Sequence, residues 1–186
     1  MLKPIPSPAR KALRGAPLVG AGALAGLALI VLTALAGAPT PAEISPAALR
    51  TEQIPVFQQD VTACRAALEA AGFEIADLPD LSQGGRCGYA QAVELTRSLH
   101  AYSAPVGGTC ALAAALAMWE RDVVAPAAAE HLGQSVARIE LAGSVYACRP
   151  VAGRSDRRMS EHARANAVDI SGFVLVDGRT IKLASG

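Results

Sequence analysis

A histidine and an aspartate stand seven positions apart near the end of this 186-residue chain, at His162 and Asp169. Three alanines lie between them, so a turn can bring the imidazole beside the carboxylate. A zinc ion in a hydrolytic site takes three protein ligands from His, Asp, Glu or Cys and keeps a fourth position for water. The pair therefore predicts half of a zinc site, whose third ligand must come from elsewhere.

A structural interpretation of the same residues stays open, in which His162 is a loop histidine and Asp169 is a cap or hairpin residue. In an extended segment, Glu161 would point to the opposite side, which favours a solvated carboxylate over a general base. The other histidines are His100 and His131. His131 fits a cation at a helix C-terminus, and we expect neither histidine to complete the site.

Five arginines surround the motif: Arg149, Arg154, Arg157, Arg158 and Arg164. Arginine forks suit carboxylates, such as those of peptidoglycan stem peptides. The three arginines between 154 and 158 fit better a solvated loop, in which Asp156 and Glu161 are their partners. Aromatic residues are few, and we assign Trp119 and Tyr89 to packing, so no sugar-stacking surface is predicted.

Two elements are expected ahead of residue 100. Apolar residues recur at helical spacing from 58 to 71, and Gly72 is the residue expected to end that helix. The glycines from 84 to 88 indicate a loop. Alternating apolar residues from 92 to 99 then predict a strand.

The clearest helix begins after Thr109, its predicted N-cap, and Pro126 either kinks it or starts a second helix. Gly133 is expected to end this helical region. Residues 136–141 and 144–149 predict two strands that are separated by a glycine.

The C-terminal part predicts a hairpin. Residues 167–176 and 179–183 flank Asp177 and Gly178, a pair that favours a two-residue type I′ turn. Helices come first and a mainly antiparallel sheet comes last, so the fold class predicted is α+β.

The chain begins with a basic flank, residues 1–15, followed by an uncharged apolar segment, residues 16–38. This order is typical of an export signal. The apolar segment is long enough for a transmembrane anchor, while its small-x-small patterns also fit a cleaved signal peptide. Proline-rich residues 39–56 fit a linker, and residues 57–186 suffice for one domain.

Charge and cysteine usage narrow the partners and the compartment. Beyond the basic flank, 13 of the 17 Lys and Arg face all 16 acidic residues, a net charge of about −3, so nucleic acid is not an expected partner. Four cysteines follow the apolar segment: Cys64, Cys87, Cys110 and Cys148. In an oxidising compartment disulfides are their expected state. Three pairings are open, and the sequential one, Cys64–Cys87 with Cys110–Cys148, closes loops of moderate length.

Residues 160–173 have the pattern Ser-Glu-His-Ala-x-x-Asn-Ala-Val-Asp-Ile-x-Gly-Phe, which resembles the extensin-like C-terminal domains of bacterial exported proteins. The resemblance extends back through Thr109-Cys110 and Gly143-Ser144-x-Tyr146-x-Cys148-Arg149, and covers most of residues 60–183. The pattern is in turn similar to the Ser-x-His-x-x-Gly-x-Ala-x-Asp signature of a zinc fold. D-alanyl-D-alanine metallopeptidases, lysostaphin-type peptidases and the hedgehog signalling domain share that fold.

This resemblance implies a hedgehog- and DD-peptidase-like fold in which His162 and Asp169 bind zinc and Arg149 contacts the substrate. The chain departs from the signature at Ala165, where a glycine is usual, which matters if the turn needs a positive φ. Family members continue to a further cysteine and a His-rich segment, which in the related peptidases supplies the third ligand. This chain has no counterpart of it, so the resemblance predicts a domain that is incomplete at its C-terminus.

Two functions follow as expectations. The first is a zinc-dependent peptidase or amidase that acts on cell-wall peptide, held in the bacterial inner membrane by residues 16–38 with its domain in the periplasm, or secreted there if the signal is cleaved. The alternative is a non-catalytic module that binds the cell wall or an envelope protein, or an inactive, shortened member of the family.

Overall fold

The computed structural model describes residues 45–82, 87–145, 148–151 and 158–183. Within these ranges, no helix has the length and apolar character needed to cross a membrane. The predicted anchor, residues 16–38, lies outside the described residues, as do Arg154 and Arg157 of the arginine cluster.

The first two α-helices follow one another closely in the chain. A single turn, α1 (Ile54–Phe57), precedes α2 (Val61–Ala70). Asp60 caps α2, because its side chain accepts a hydrogen bond from the backbone N–H of Ala63 at 2.9 Å. The helix ends just ahead of Gly72, which has a φ of 84°. The predicted helix and its glycine stop are confirmed.

The longest helical region consists of α3 (Cys110–Trp119), a π-helical turn (Glu120–Val124) and α4 (Ala125–Leu132). Pro126 lies in the first turn of α4, directly after the π-helical turn, and Val124 and Ala125 before it have right-handed helical φ and ψ. The proline therefore does not interrupt the helical path, which is continuous from Cys110 to Leu132. Gly133 ends α4 in the left-handed conformation, with a φ of 62°, as predicted.

Nine strands lie in the described ranges: β1 (Glu74–Asp77), β2 (Leu81–Ser82), β3 (Gly88–Tyr89), β4 (Val93–Arg97), β5 (Ala101–Tyr102), β6 (Val106–Gly108), β7 (Val136–Gly143), β8 (Asp169–Leu175) and β9 (Thr180–Lys182). One sheet has the order β1-β4-β6, a second consists of β2 and β3, and a third has the order β5-β7-β8-β9. All pairs are antiparallel except β5 with β7. The α+β class is confirmed.

Two apolar cores support these sheets. The first joins α1, α2 and α3 to the β1-β4-β6 sheet and includes Leu68 and Leu95. The second joins α4 to the β5-β7-β8-β9 sheet and includes Ile139 and Leu175. Trp119 packs against both cores, so the end of α3 lies where the two cores meet.

Part of the predicted linker is folded. Residues Pro46–Ala48 and Thr51–Gln53 form 3₁₀ turns, and Leu49 between them is only 1% exposed. The carbonyl oxygen of Leu49 also accepts a hydrogen bond from Arg121 at 2.8 Å. The packed domain therefore begins ahead of Val56, because Leu49 is buried in the first core and hydrogen bonds to Arg121 and Ala71 hold the segment there.

The predicted strand over residues 144–149 is not found in the described part of this segment. Strand β7 continues to Gly143, which pairs with Asp169 at the end of the β7–β8 ladder. Ser144 and Val145 then leave the sheet, and residues 146–147 lie outside the described ranges. The chain departs there because β8 offers no partner ahead of Asp169.

The hairpin is confirmed, but its type I′ turn is wrong. That turn needs a positive φ at both central residues, whereas Asp177 is not in the left-handed region and Gly178 has a φ of 86°. Gly178 N–H donates to Leu175 O at 3.0 Å, and Leu175 N–H donates to Arg179 O at 2.8 Å. The loop therefore has three residues, and its glycine takes the left-handed position that this loop length requires.

The disulfides join Cys64 to Cys110 and Cys87 to Cys148. The sequential pairing is therefore wrong. Cys64 lies on the buried face of α2, which packs against α3, where Cys110 begins. Packing of the two helices thus decides the partner, and loop length does not.

Candidate functional site

A one-turn 3₁₀ helix, Glu161–Arg164, carries His162. Ala165 follows in the left-handed conformation, with a φ of 55°, and its N–H donates to the carbonyl oxygen of His162 at 3.2 Å. Glycine adopts this conformation freely, whereas a non-glycine residue loses on the order of 1 kcal/mol there. The position therefore does need a positive φ, and this chain meets that need with an alanine.

The two predicted ligands lie together. His162 Nε2 is 3.2 Å from Asp169 Oδ1, and His162 Nδ1 is 2.5 Å from the carbonyl oxygen of Ser144. The histidine side chain is 13% exposed, and the aspartate side chain is 49% exposed. The carbonyl group of Ser144 thus holds the imidazole in place, while the carboxylate of Asp169 faces solvent.

The contact with Ser144 determines the role of each nitrogen of His162. A backbone carbonyl can only accept, so Nδ1 carries the proton of that hydrogen bond. In a neutral imidazole the lone pair then lies on Nε2 and faces the Asp169 oxygen, which as a carboxylate also only accepts. A proton shared by the two atoms, or a metal ion bound by both, removes this opposition.

Thr109 ties the start of α3 to this turn. Its backbone N–H donates to Ala165 O at 2.6 Å. Its hydroxyl accepts from Leu112 N–H at 3.2 Å, which confirms the N-cap, and donates to Asn166 Oδ1 at 3.3 Å. Asn166 Nδ2 in turn donates to Glu161 Oε2 at 3.2 Å. The end of the turn is therefore fastened to the start of α3 at Ala165 and Asn166, and Asn166 connects it to Glu161 at the beginning of the turn.

A second attachment lies on the other side of the turn. Ser160 N–H donates to Arg149 O at 3.0 Å, and Pro150 forms a β-bridge with Met159. Arg149, the predicted substrate contact, is thereby placed beside the entrance to the turn with an exposed side chain. It follows Cys148, as Thr109 precedes Cys110, so each disulfide lies next to one attachment of the turn.

The remaining predicted residues are not in contact with the pair. His131 is in the last turn of α4 and lines an apolar cavity of about 320 Å³ with Trp119 and Phe173. The Glu161 carboxylate accepts a hydrogen bond from Asn166, and Arg164 Nη1 lies 3.9 Å from Glu161 Oε1. Among the described residues, no group of three His, Cys, Asp or Glu is arranged to hold a metal ion.

Sequence reasoning missed a buried acid. Glu120 is 0% exposed, and its carboxylate accepts from Ser98 Oγ at 2.6 Å, from Tyr102 Oη at 2.7 Å and from His100 N–H at 2.9 Å. Burial raises the pKa of Glu120, and these hydrogen bonds oppose the rise. Burial and then the carboxylate raise the pKa of Tyr102 well above its ordinary range. This cluster holds the connection between β4 and β5 on the π-helical turn.

Comparison with known proteins identifies a family whose match includes the turn. The family described as extensin-like protein C-terminus matches residues 62–186, a range that includes all four cysteines, His162 and Asp169. No curated protein and no solved structure matches the chain. Because the match covers more than half of the chain, this protein belongs to the extensin-like protein C-terminal family.

Proposed function

We propose that this protein binds zinc through His162 and Asp169 and acts as a peptidase or amidase on cell-wall peptide. The observation that supports the metal site best is the approach of His162 Nε2 to Asp169 Oδ1 at 3.2 Å while Nδ1 donates to Ser144. Metal-bound histidines donate their other ring N–H to a carbonyl or carboxylate in this way.

The distance between the two atoms fits a shared zinc ion. Zinc bonds to histidine nitrogen and carboxylate oxygen are about 2.0 to 2.2 Å long, so two ligands at the tetrahedral angle lie about 3.3 Å apart. The pair in this chain is separated by 3.2 Å. A third protein ligand would come from outside the described residues or from a partner molecule.

The residues around the pair have defined parts in the proposed reaction. Ser144 orients the imidazole, and the half-exposed Asp169 keeps the site open to solvent. A bound zinc ion would supply an acidified water and a polarised peptide carbonyl. Arg149, exposed beside the turn, would hold a carboxylate of the substrate by a forked pair of hydrogen bonds.

The proposed location is the periplasm, with residues 16–38 as a transmembrane anchor or cleaved signal. Two disulfides support an oxidising compartment. Peptidoglycan stem peptides carry carboxylates of the kind that the exposed Arg149 would bind, which supports them as the substrate class.

A second function is favoured by a specific observation. The described residues hold no third metal ligand near His162 and Asp169. Without a metal, the contact between the two side chains would serve only to fasten the turn to β8. The protein would then be a non-catalytic module that binds cell wall or an envelope protein.

Zinc content distinguishes these functions. The full chain is stripped with a chelator, reloaded with zinc, and analysed by atomic spectrometry beside His162→Ala and the matched control His131→Ala. We expect about one zinc per chain in the native protein and in the control, and loss of that zinc in His162→Ala. Absence of zinc from all three proteins would rule out the metal site and leave the binding module.

A further inference from the structure

A second cavity adjoins the turn, on a side different from that of the metal pair. Its volume is about 340 Å³, at the small end of cavities that hold ligands. Glu161, Arg164 and Asn166 line it, whereas His162, which lies between them in sequence, points to Ser144 and Asp169. One side of the 3₁₀ turn therefore faces Asp169, and the other side faces the cavity.

The lining has an apolar wall and a polar wall. Val61 and Ala111 belong to the apolar wall. The polar wall carries three carboxamides, from Gln58, Gln91 and Asn166, and charges of both signs, from Glu161 and Arg164. The carboxamide of Asn166 is bonded to Thr109 and Glu161, whereas those of Gln58 and Gln91 can each donate and accept, so these two glutamines match a ligand that offers both N–H and C=O groups.

The backbone at Gln91 is strained where it borders the cavity. Gln91 has a φ of 55°, and its N–H donates to Asp80 Oδ1 at 2.8 Å. A glutamine held in this region loses on the order of 1 kcal/mol, and such outliers gather where a side chain must be aimed at a ligand. The strain is independent of the turn, since Gln91 lies outside it.

The residues that line the cavity favour a peptide over a glycan or a metal ion. A glycan is held by packing its ring against an exposed aromatic face, and Phe57, the aromatic residue among those lining the cavity, is only 4% exposed. A metal ion needs a cluster of ligands, which the described residues do not provide here. A peptide with small side chains satisfies both walls, and its charged ends would bind Arg164 and Glu161 in competition with the 3.9 Å contact between these two side chains.

We propose that this cavity is a peptide-binding site that recognises a short segment with small side chains, and that it does so without metal. The inference goes beyond the zinc site, because the cavity shares no lining residue with the pair that would hold zinc. A bound peptide would contact Glu161 and Arg164 and so press on the same turn that carries His162.

Titration of trialanine into the isotope-labelled, metal-stripped full chain tests the proposal by NMR. We expect saturable shifts of the backbone amides of Gln91, Thr109 and Arg164, with a Kd on the order of 1 mM for so small a ligand. Gln91→Asn keeps a residue that tolerates the left-handed backbone but withdraws the carboxamide, and should weaken binding by about fivefold. Arg138→Gln, on β7 and outside the cavity, should leave it unchanged.

A further variant guards against a misfolded Gln91→Asn. Ala90 is exposed at the cavity, so Ala90→Leu adds a blocking side chain without entering the core and should abolish the shifts. No saturable shift up to about 20 mM trialanine, more than tenfold above the expected Kd, would overturn the proposal. So would shifts confined to the apolar cavity at His131, or a response to chitobiose in place of trialanine. Because metal is absent throughout, these outcomes are independent of the zinc measurement.

Discussion

Thr109 and Ala165 are joined by a backbone hydrogen bond of 2.6 Å between residues that are 56 positions apart. The bond connects the first turn of α3 with the left-handed residue that closes the His162 turn. Helix α3 is packed in the first core. Because this hydrogen bond attaches the turn to α3, the buried helix fixes the position of the imidazole.

Asp169→Asn should reduce zinc affinity. The carboxamide is nearly the same size but lacks the negative charge that faces His162 Nε2, so we expect a loss of more than about tenfold, the effect of removing even an outer-shell partner of a metal ligand. Competition with a chromophoric chelator measures it. Asp177→Asn makes the same change at the far end of β8, where the carboxylate pairs with Arg179, and should keep the native affinity. Equal losses in both variants would contradict a site at Asp169.

Thr109→Ala should lower the free energy of unfolding by about 1 kcal/mol, because the N-cap oxygen and its bond to Asn166 are both lost. Thr109→Ser keeps the hydroxyl and should stay within about 0.5 kcal/mol of the native protein. Guanidinium denaturation compares the three. If alanine and serine have the same effect, the hydroxyl does not fasten the turn.

Glu120 should make the protein less stable as the pH rises. Its pKa is raised in the folded state above the unfolded value of 4.5, so between these two pKa values the folded chain binds more protons and stability falls with increasing pH. Glu120→Gln removes this dependence, although its amide meets the donor at His100 and lowers stability overall. The readout is therefore the slope of unfolding free energy against pH above 4.5.

A native slope no steeper than that of Glu120→Gln would contradict the prediction. Asp122 and Asp177 do not confuse the comparison, because their arginine partners lower their pKa values below 3.8, outside this pH window. They are also present in both proteins, so their contributions cancel.

Peptide mapping without reduction should find Cys64 linked to Cys110 and Cys87 linked to Cys148. A peptide that joins Cys64 to Cys87 would contradict the fold. Removing the first link in Cys64→Ala/Cys110→Ala should lower the free energy of unfolding by about 4 kcal/mol, because the link closes a loop with a sequence separation of 46. Thermal or guanidinium denaturation beside the native protein measures the loss.

Residue spacing predicted correctly those features that depend on residues close together in the sequence. Thr109 caps α3 and Gly133 ends α4, because capping and left-handed stops are decided within one helical turn. His162 and Asp169 meet for a similar reason, since a single turn of chain separates them. Glu120 could have been found in the same way, because it follows buried Ala113 and Ala117 at helical spacing.

Other features depend on residues that are distant in sequence, and only the tertiary structure decided them. The partner of Cys64 follows from the packing of α2 on α3, and the proton on His162 Nδ1 follows from the point where β7 releases Ser144. Local spacing holds no information on either, because both arise when long loops close and bury apolar surface. The sequence by itself determined the fold class and which side chains the turn brings close together; the packing determined which way that turn faces.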